Sequence, residues 1–263
     1  MKKCVVFYGG DSQTGTTMIA VSAAEMLAGA GKRILLVGAS SQPVDPWLPQ
    51  SAVSSMDDLY PALKEGMLTA DEIRRTVMTA RGVDILSGTG SGYIRKFGMK
   101  DLETVCSLIC EDYDWILADC GCGPPEGLTM AALQCGQKAV LVLTQQEKCL
   151  QRFAAKLSGL ERALPPQQLY VVNKFNDSGA FYTEKELAGR LGCGPENLRT
   201  VAYVPFGWQA EMDRVPLLKH RKFRRDMEKI TGWIGEVEGL EERRTGRTIR
   251  RLLSALPHGR DDL

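Results

Sequence analysis

Histidine is scarce in this chain, with two in 263 residues. None of the eight cysteines forms paired C-x-x-C motifs at zinc-site spacing, so no zinc centre is expected. A disulfide framework is not expected either: the chain is long, and Met-Lys-Lys before a short apolar run is no secretion signal. Cys120 and Cys122 alternate around Gly121, while Cys106 and Cys110 lie one helical turn apart. All read as reduced thiols that pack like small apolar side chains. Long hydrophobic runs are also missing. Windows such as Lys138 to Thr144 fall far short of the roughly 20 residues of a spanning helix, and the expected location is the cytoplasm. Nor does one charge dominate: 33 basic residues face 32 acidic ones, which argues against a nucleic-acid-binding surface over the whole molecule. The densest basic run, residues 219–229, reads first as a solvated helix face. No internal repeat or low-complexity linker breaks the chain.

What is present is a chain 44% hydrophobic and 25% charged, enough to bury a large core. Apolar, β-branched runs recur at Lys3–Tyr8, Arg33–Val37, Val83–Leu86, Trp115–Ala118, Ala139–Leu143, Leu169–Val172 and Val201–Val204. They are continuous rather than alternating, the pattern of strands covered on both faces. Helix-compatible segments lie between them, Thr17–Ala30 and Leu102–Cys110 included. The expected fold is therefore α/β, a mostly parallel twisted sheet of about seven strands with helices on both faces. One domain is expected over residues 1–235, followed by a charged tail over 236–263. In that tail Ile249, Leu252, Leu253 and Leu256 share one helical face beside Arg247, Arg250 and Arg251, a short basic amphipathic helix.

The stretch GGDSQTGTTMIA, residues 9–20, joins the first strand to the first helix. It nearly fits the phosphate-binding pattern G-x-x-x-x-G-K-[ST], with Gly10 and Gly15 correctly spaced. Thr17 keeps the hydroxyl that would hold magnesium, but Thr16 stands where the lysine belongs. Backbone N–H groups and a helix N-terminus attract phosphate without any side chain. An ordinary strand-to-helix turn is the alternative reading of this loop alone.

Beyond the loop, the chain resembles the MinD/ParA family of P-loop ATPases over nearly the whole main domain, with matches in the family's order. The deviant loop K-G-G-x-G-K-T-T falls on Asp11, Ser12, Gln13, Thr14, Gly15, Thr16, Thr17 and Met18. GKRILLVGAS (31–40) is similar to G-K-K-V-L-L-I-D-x-D, and YDWILADCGCGPPEG (113–127) to Y-D-x-I-I-I-D-x-P-P-G. AVLVLTQQEKCLQR (139–152) resembles the strand and turn before the next helix. YVVNKF (170–175) resembles the adenine-contacting V-V-N-R, and TVAYVPFGWQAEMD (200–213) the late I-P-x-D segment that contains Pro205. The resemblance implies a P-loop NTPase fold, ATP or ADP as cofactor, Mg2+ near Thr17 and Asp119, and a nucleotide contact from Asn173. For Asp119 a strand-end cap, and for Asn173 a turn residue, are the plainer alternatives.

Departures from the pattern are concentrated on charge. Asp11 replaces the signature lysine that reaches a partner's phosphates in family dimers, Thr16 replaces the second lysine, and Gly38 stands where an aspartate positions water and magnesium. Phosphoryl transfer depends on positioning and charge neutralisation, so no catalytic residue is assigned and little or no hydrolysis is expected. Degenerate loops of this kind are similar to those of the TadZ/CpaE-like branch used in pilus assembly. That implies a localisation or assembly scaffold, a homodimer and protein partners of a pilus or secretion machine. The tail helix resembles the membrane-docking end of MinD-like proteins, which implies peripheral membrane contact, with packing on its own domain or on a partner as the plainer alternative. Two alternatives stay open: a working ATPase in which Lys148 or Arg152 substitutes for the lost lysines, and a nucleotide-free interaction module. A dinucleotide-dependent oxidoreductase is not expected, since the loop is not G-x-G-x-x-G and Gly38-Ala39-Ser40 offers no acid to a ribose.

Overall fold

The computed structural model describes residues 4–41, 54–90, 93–125, 127–160, 162–178 and 181–235. Strands and helices alternate as β1 (Cys4–Gly9), α1 (Thr16–Gly29), β2 (Ile34–Gly38), α2 (Met56–Lys64), α3 (Ala70–Thr76), β3 (Met78–Ala80), β4 (Val83–Leu86) and α4 (Met99–Ile109). They continue as β5 (Trp115–Asp119), α5 (Leu128–Cys135), β6 (Lys138–Leu143), α6 (Glu147–Leu160), β7 (Gln167–Phe175), α7 (Glu184–Leu191), β8 (Leu198–Ala202), α8 (Gly207–Met212) and α9 (Arg221–Gly235). The strands form one eight-stranded sheet in the order β3-β4-β2-β5-β1-β6-β7-β8. Every pair is parallel except β3 with β4.

Alternation along each strand divides the core in two. Val5 and Phe7 of β1, with Leu36, Val142, Val171 and Val201, pack against α1 and α9. Cys4, Val6 and Tyr8 point to the opposite layer, with side chains of α2 to α7. Both faces of the central strands are therefore dry, which is why their sequences are apolar at nearly every position.

The eighth strand, β3, was not expected. Three residues give no periodic signal, and β3 pairs only because Arg81 and Gly82, with φ of 48° and 77°, close a two-residue turn onto β4. Two consecutive positive φ values match the twist of a hairpin. At the other edge, β8 begins and ends earlier than the apolar run Val201–Val204 implied. The Ala202 N–H donates to the buried Asp226 carboxylate of α9 at 3.1 Å, and Pro205 has no N–H to extend the ladder.

β7 carries an irregularity that shapes the site. Its pairing with β8 slips between Val172 and Phe175, where Lys174 adopts φ 56°. One extra residue bends the strand and redirects side chains. Here it sends both Asn173 and Lys174 toward the loop between β1 and α1.

The described chain ends with α9, whose last carbonyls, of Trp233 and Ile234, accept from the buried Lys138 ammonium at 2.8 and 3.1 Å. The amphipathic tail segment expected over 236–263 lies outside the described residues.

Candidate functional site

The loop after β1 is pinned between the two strands that flank it. The Gly9 N–H donates to the Gly121 carbonyl beyond β5 at 2.7 Å, and the Gly10 N–H to Val142 of β6 at 2.8 Å. A side chain at Gly10 would collide with Leu143, at 2.4 Å from the added carbon, and press on Phe153 of α6. Close packing, then, requires a glycine there. Gln13 and Gly15, at φ 60° and 82°, turn the chain back into α1.

The other helices show by contrast what α1 lacks. α2, α3 and α7 are each closed by a hydroxyl residue and an acid three positions on: Ser55 with Asp58, Thr69 with Glu72, Thr183 with Glu186. α1 has Gly15 at its cap, no side-chain hydrogen bond there and no acid in its first turn. Among the described residues no partner takes the N–H groups of Gly15, Thr16, Thr17 or Met18. These orphan donors and the positive end of the helix stand where the loop meets α1.

Hydroxyls cluster in the loop. The Thr14 Oγ1 donates to the Asp11 carbonyl at 3.1 Å and lies 3.0 Å from the Thr16 Oγ1. Thr16, at the lysine position, is buried and folded inward. Thr17 is half-buried beside Asp119. One carboxylate oxygen of Asp119, Oδ1, accepts from the Gly121 N–H at 3.1 Å. Asp119 is 1% exposed, and its Oδ2 is buried with no hydrogen-bond partner among the described residues. Burial pushes this carboxyl upward, against the opposing pull of the Thr17 hydroxyl and the Gly121 N–H.

Three cations that do not belong to the loop surround it. The Arg152 guanidinium of α6 meets both Asp11 oxygens, at 2.8 and 3.0 Å. Desolvation lifts the Asp11 carboxyl, but the hydrogen bonds from Arg152 and the Ser12 N–H outweigh it and hold the group below the usual carboxylate range. Lys156, one turn further along α6, donates to the Cys122 carbonyl at 2.6 Å and lies over the Tyr8 ring. Lys174 donates to the Gln13 carbonyl at 2.8 Å. Sequence reasoning named Arg152 and missed Lys156 and Lys174. The signal for Lys156 was its spacing, since Cys149, Arg152, Phe153 and Lys156 share one face of α6. Lys148, the other cation considered, is exposed.

The remaining expected residues divide. Asn173 is 1% exposed and its carboxamide donates to the Thr14 carbonyl at 2.7 Å, so its N–H braces the loop. Met18 is buried in the core beside α9. Pro205 is exposed in the segment after β8, which the Tyr203 N–H ties to the Phe175 carbonyl at 2.9 Å. At Gly38 an added carbon would come within 2.5 Å of the Gly88 nitrogen, so a neighbouring backbone fills the space an aspartate would need. Among the described residues no group of three or more His, Cys, Asp or Glu is placed to hold a metal.

No protein-family model matches the chain, and no curated protein matches it in sequence. Solved structures do. A ParA family ATPase from Chlorobium tepidum TLS matches with a TM-score of 0.74 at 16% identity, over 90% of this chain and all of the other. The septum site-determining protein MinD of Pyrococcus horikoshii OT3, complexed with Mg-ADP, matches at 0.71 and 18%, over 90% of this chain and 97% of that one. The Aquifex aeolicus MinC:MinD cell division complex gives 0.73 at 17%, over 91% and 98%. The fold is that of the MinD/ParA P-loop NTPases.

Proposed function

We propose that this chain is a MinD/ParA-like P-loop protein that binds ATP or ADP with Mg2+ and hydrolyses it little or not at all. The observation that carries this reading is the uncapped start of α1 next to the partnerless Asp119 Oδ2. A buried carboxylate oxygen without a donor is costly unless something else satisfies it. A magnesium ion is held by one or two protein oxygens together with phosphate and water, and Thr17 and Asp119 fit that need. Bound there, the ion would neutralise phosphate charge. The N–H groups of residues 15–18 would cradle the phosphates, and Asn173 keeps the cradle in shape from behind. The MinD neighbour with Mg-ADP supports the same cofactor here.

Weak hydrolysis follows from what the site offers to developing charge. Asp11 brings a carboxylate to the loop, Thr16 turns inward, and the backbone beside Gly38 leaves no room for an acid. The second reading, a working ATPase with substitute cations, is favoured by Arg152 and Lys156 at the loop. Calorimetric titration with ATP, with and without magnesium, tests the binding. Phosphate release that rises above background and disappears in Thr17→Ala would transfer the conclusion to the second reading. No saturable heat with either nucleotide would leave a nucleotide-free interaction module.

The role is proposed to be positional: a homodimeric scaffold of the TadZ/CpaE-like kind for a pilus or secretion machine, with the tail over 236–263 meeting the membrane surface. The MinD of the Aquifex complex, seen with MinC, supports a partner-binding role. Among the described residues no helix is long and apolar enough to cross a membrane. Sedimentation with and without nucleotide tests the dimer.

A further inference from the structure

The phosphate-binding loop lacks lysine, yet its mouth is not short of positive charge. Arg152, Lys156 and Lys174 surround a loop whose neighbourhood holds two carboxylates, Asp11 and the buried Asp119. Two of the cations come from a single helix. α6 is seated hard against the loop, because Phe153 and Cys149 lie within 3.1 and 3.4 Å of where a Gly10 side chain would begin. Arg152 and Lys156 flank that contact, one turn apart, and are thereby fixed relative to the α1 N-terminus.

Their present partners are replaceable. The Arg152 side chain is half exposed in its pair with Asp11, and ion pairs that water reaches in this way are weak. One guanidinium nitrogen of Arg152 spans both Asp11 oxygens, and guanidinium binds phosphate through charge-assisted hydrogen bonds of the same kind, so one anion can be exchanged for the other. Lys156 donates to a neutral carbonyl rather than to a carboxylate.

We propose that α6 supplies in cis the phosphate-binding cations that the loop lacks, Arg152 and Lys156. Asp11 holds Arg152 in the ligand-free state, so the pocket discriminates nucleotides by the charge of their terminal phosphate. The proposal rests on the nucleotide-binding reading above and adds to it the source of selectivity.

The test is calorimetric titration of the full chain with MgATP and with MgADP, in parent, Arg152→Gln, Lys156→Gln, Asp11→Asn and Lys148→Gln. Arg152→Gln and Lys156→Gln are each expected to cut the ATP-to-ADP affinity ratio by about tenfold, the worth of one charge-assisted hydrogen bond. Asp11→Asn frees Arg152 and is expected to tighten ATP several-fold, a gain that misfolding cannot imitate. Lys148→Gln, exposed on the same helix, leaves both affinities unchanged. A parent that binds nucleotide while Arg152→Gln and Lys156→Gln keep its ATP-to-ADP ratio overturns this proposal alone. A parent that binds neither nucleotide overturns the nucleotide-binding reading along with it.

Discussion

The Asn173 carboxamide, on the bulge of β7, reaches back 2.7 Å to the carbonyl of Thr14 in the loop after β1. The contact is so close that a carbon added at Gly15 would lie 2.5 Å from the Asn173 Nδ2. Asn173→Ala leaves the Thr14 carbonyl unpartnered in a buried place and is expected to cost about 1–3 kcal/mol. Denaturant unfolding checks this. The midpoint should fall with an unchanged slope, whereas an unaltered midpoint would mean that the brace contributes nothing.

Installing the missing acid should fail. Gly38→Asp forces a side chain into the Gly88 backbone, a neighbour that cannot swing aside as a flexible side chain would. Overpacking of this sort typically costs about 1–3 kcal/mol. The variant is expected to melt lower and to release no more phosphate than the parent. Faster turnover at undiminished stability would contradict the steric account.

Asp119 makes a signed prediction about pH. Its carboxyl is raised by burial, against the Thr17 hydroxyl and Gly121 N–H, so the folded protein keeps a proton that the unfolded chain gives up. The contribution of this group is fully present below the unfolded value, about pH 4, and is lost as pH rises through the folded one. Asp119→Asn removes the titration, so its stability relative to the parent should increase as pH rises above about 4. Urea melts at several pH values decide it. Parallel curves for the two proteins would refute the shift, and magnesium should no longer alter nucleotide affinity in the variant.

A chain ending at Gly235 is expected to fold. α9 closes the described core, and its final carbonyls are held by Lys138. The shortened chain should keep the parent's melting temperature and nucleotide affinity while losing any binding to anionic vesicles. Aggregation on removal of 236–263 would show instead that the tail belongs to the core.

Most of the sheet was readable because its central strands are buried on both sides and so largely apolar. Where that physics does not operate, the sequence was silent. β3 depends on the Arg81-Gly82 turn, which can be tested by Gly82→Ala at a cost of about 1 kcal/mol. The positions of Thr17, Asp119 and Asn173 could be read by analogy with a known motif, but not the hydrogen bond from Asn173 to Thr14, which spans 159 positions. Lys156 showed only its spacing on α6, not how that helix seats on Gly10, and Lys174 depends on a one-residue slip in β7 that leaves no periodic trace in the sequence.

The approach of Gly38 to Gly88 also couples two separate stretches of the chain. An aspartate at position 38 is useful only after β2 and the 87–88 segment have parted, and parting them without the aspartate leaves an empty gap. Each change is unfavourable alone, so a carboxylate at 38 and a displaced 87–88 segment are expected to be tolerated only together.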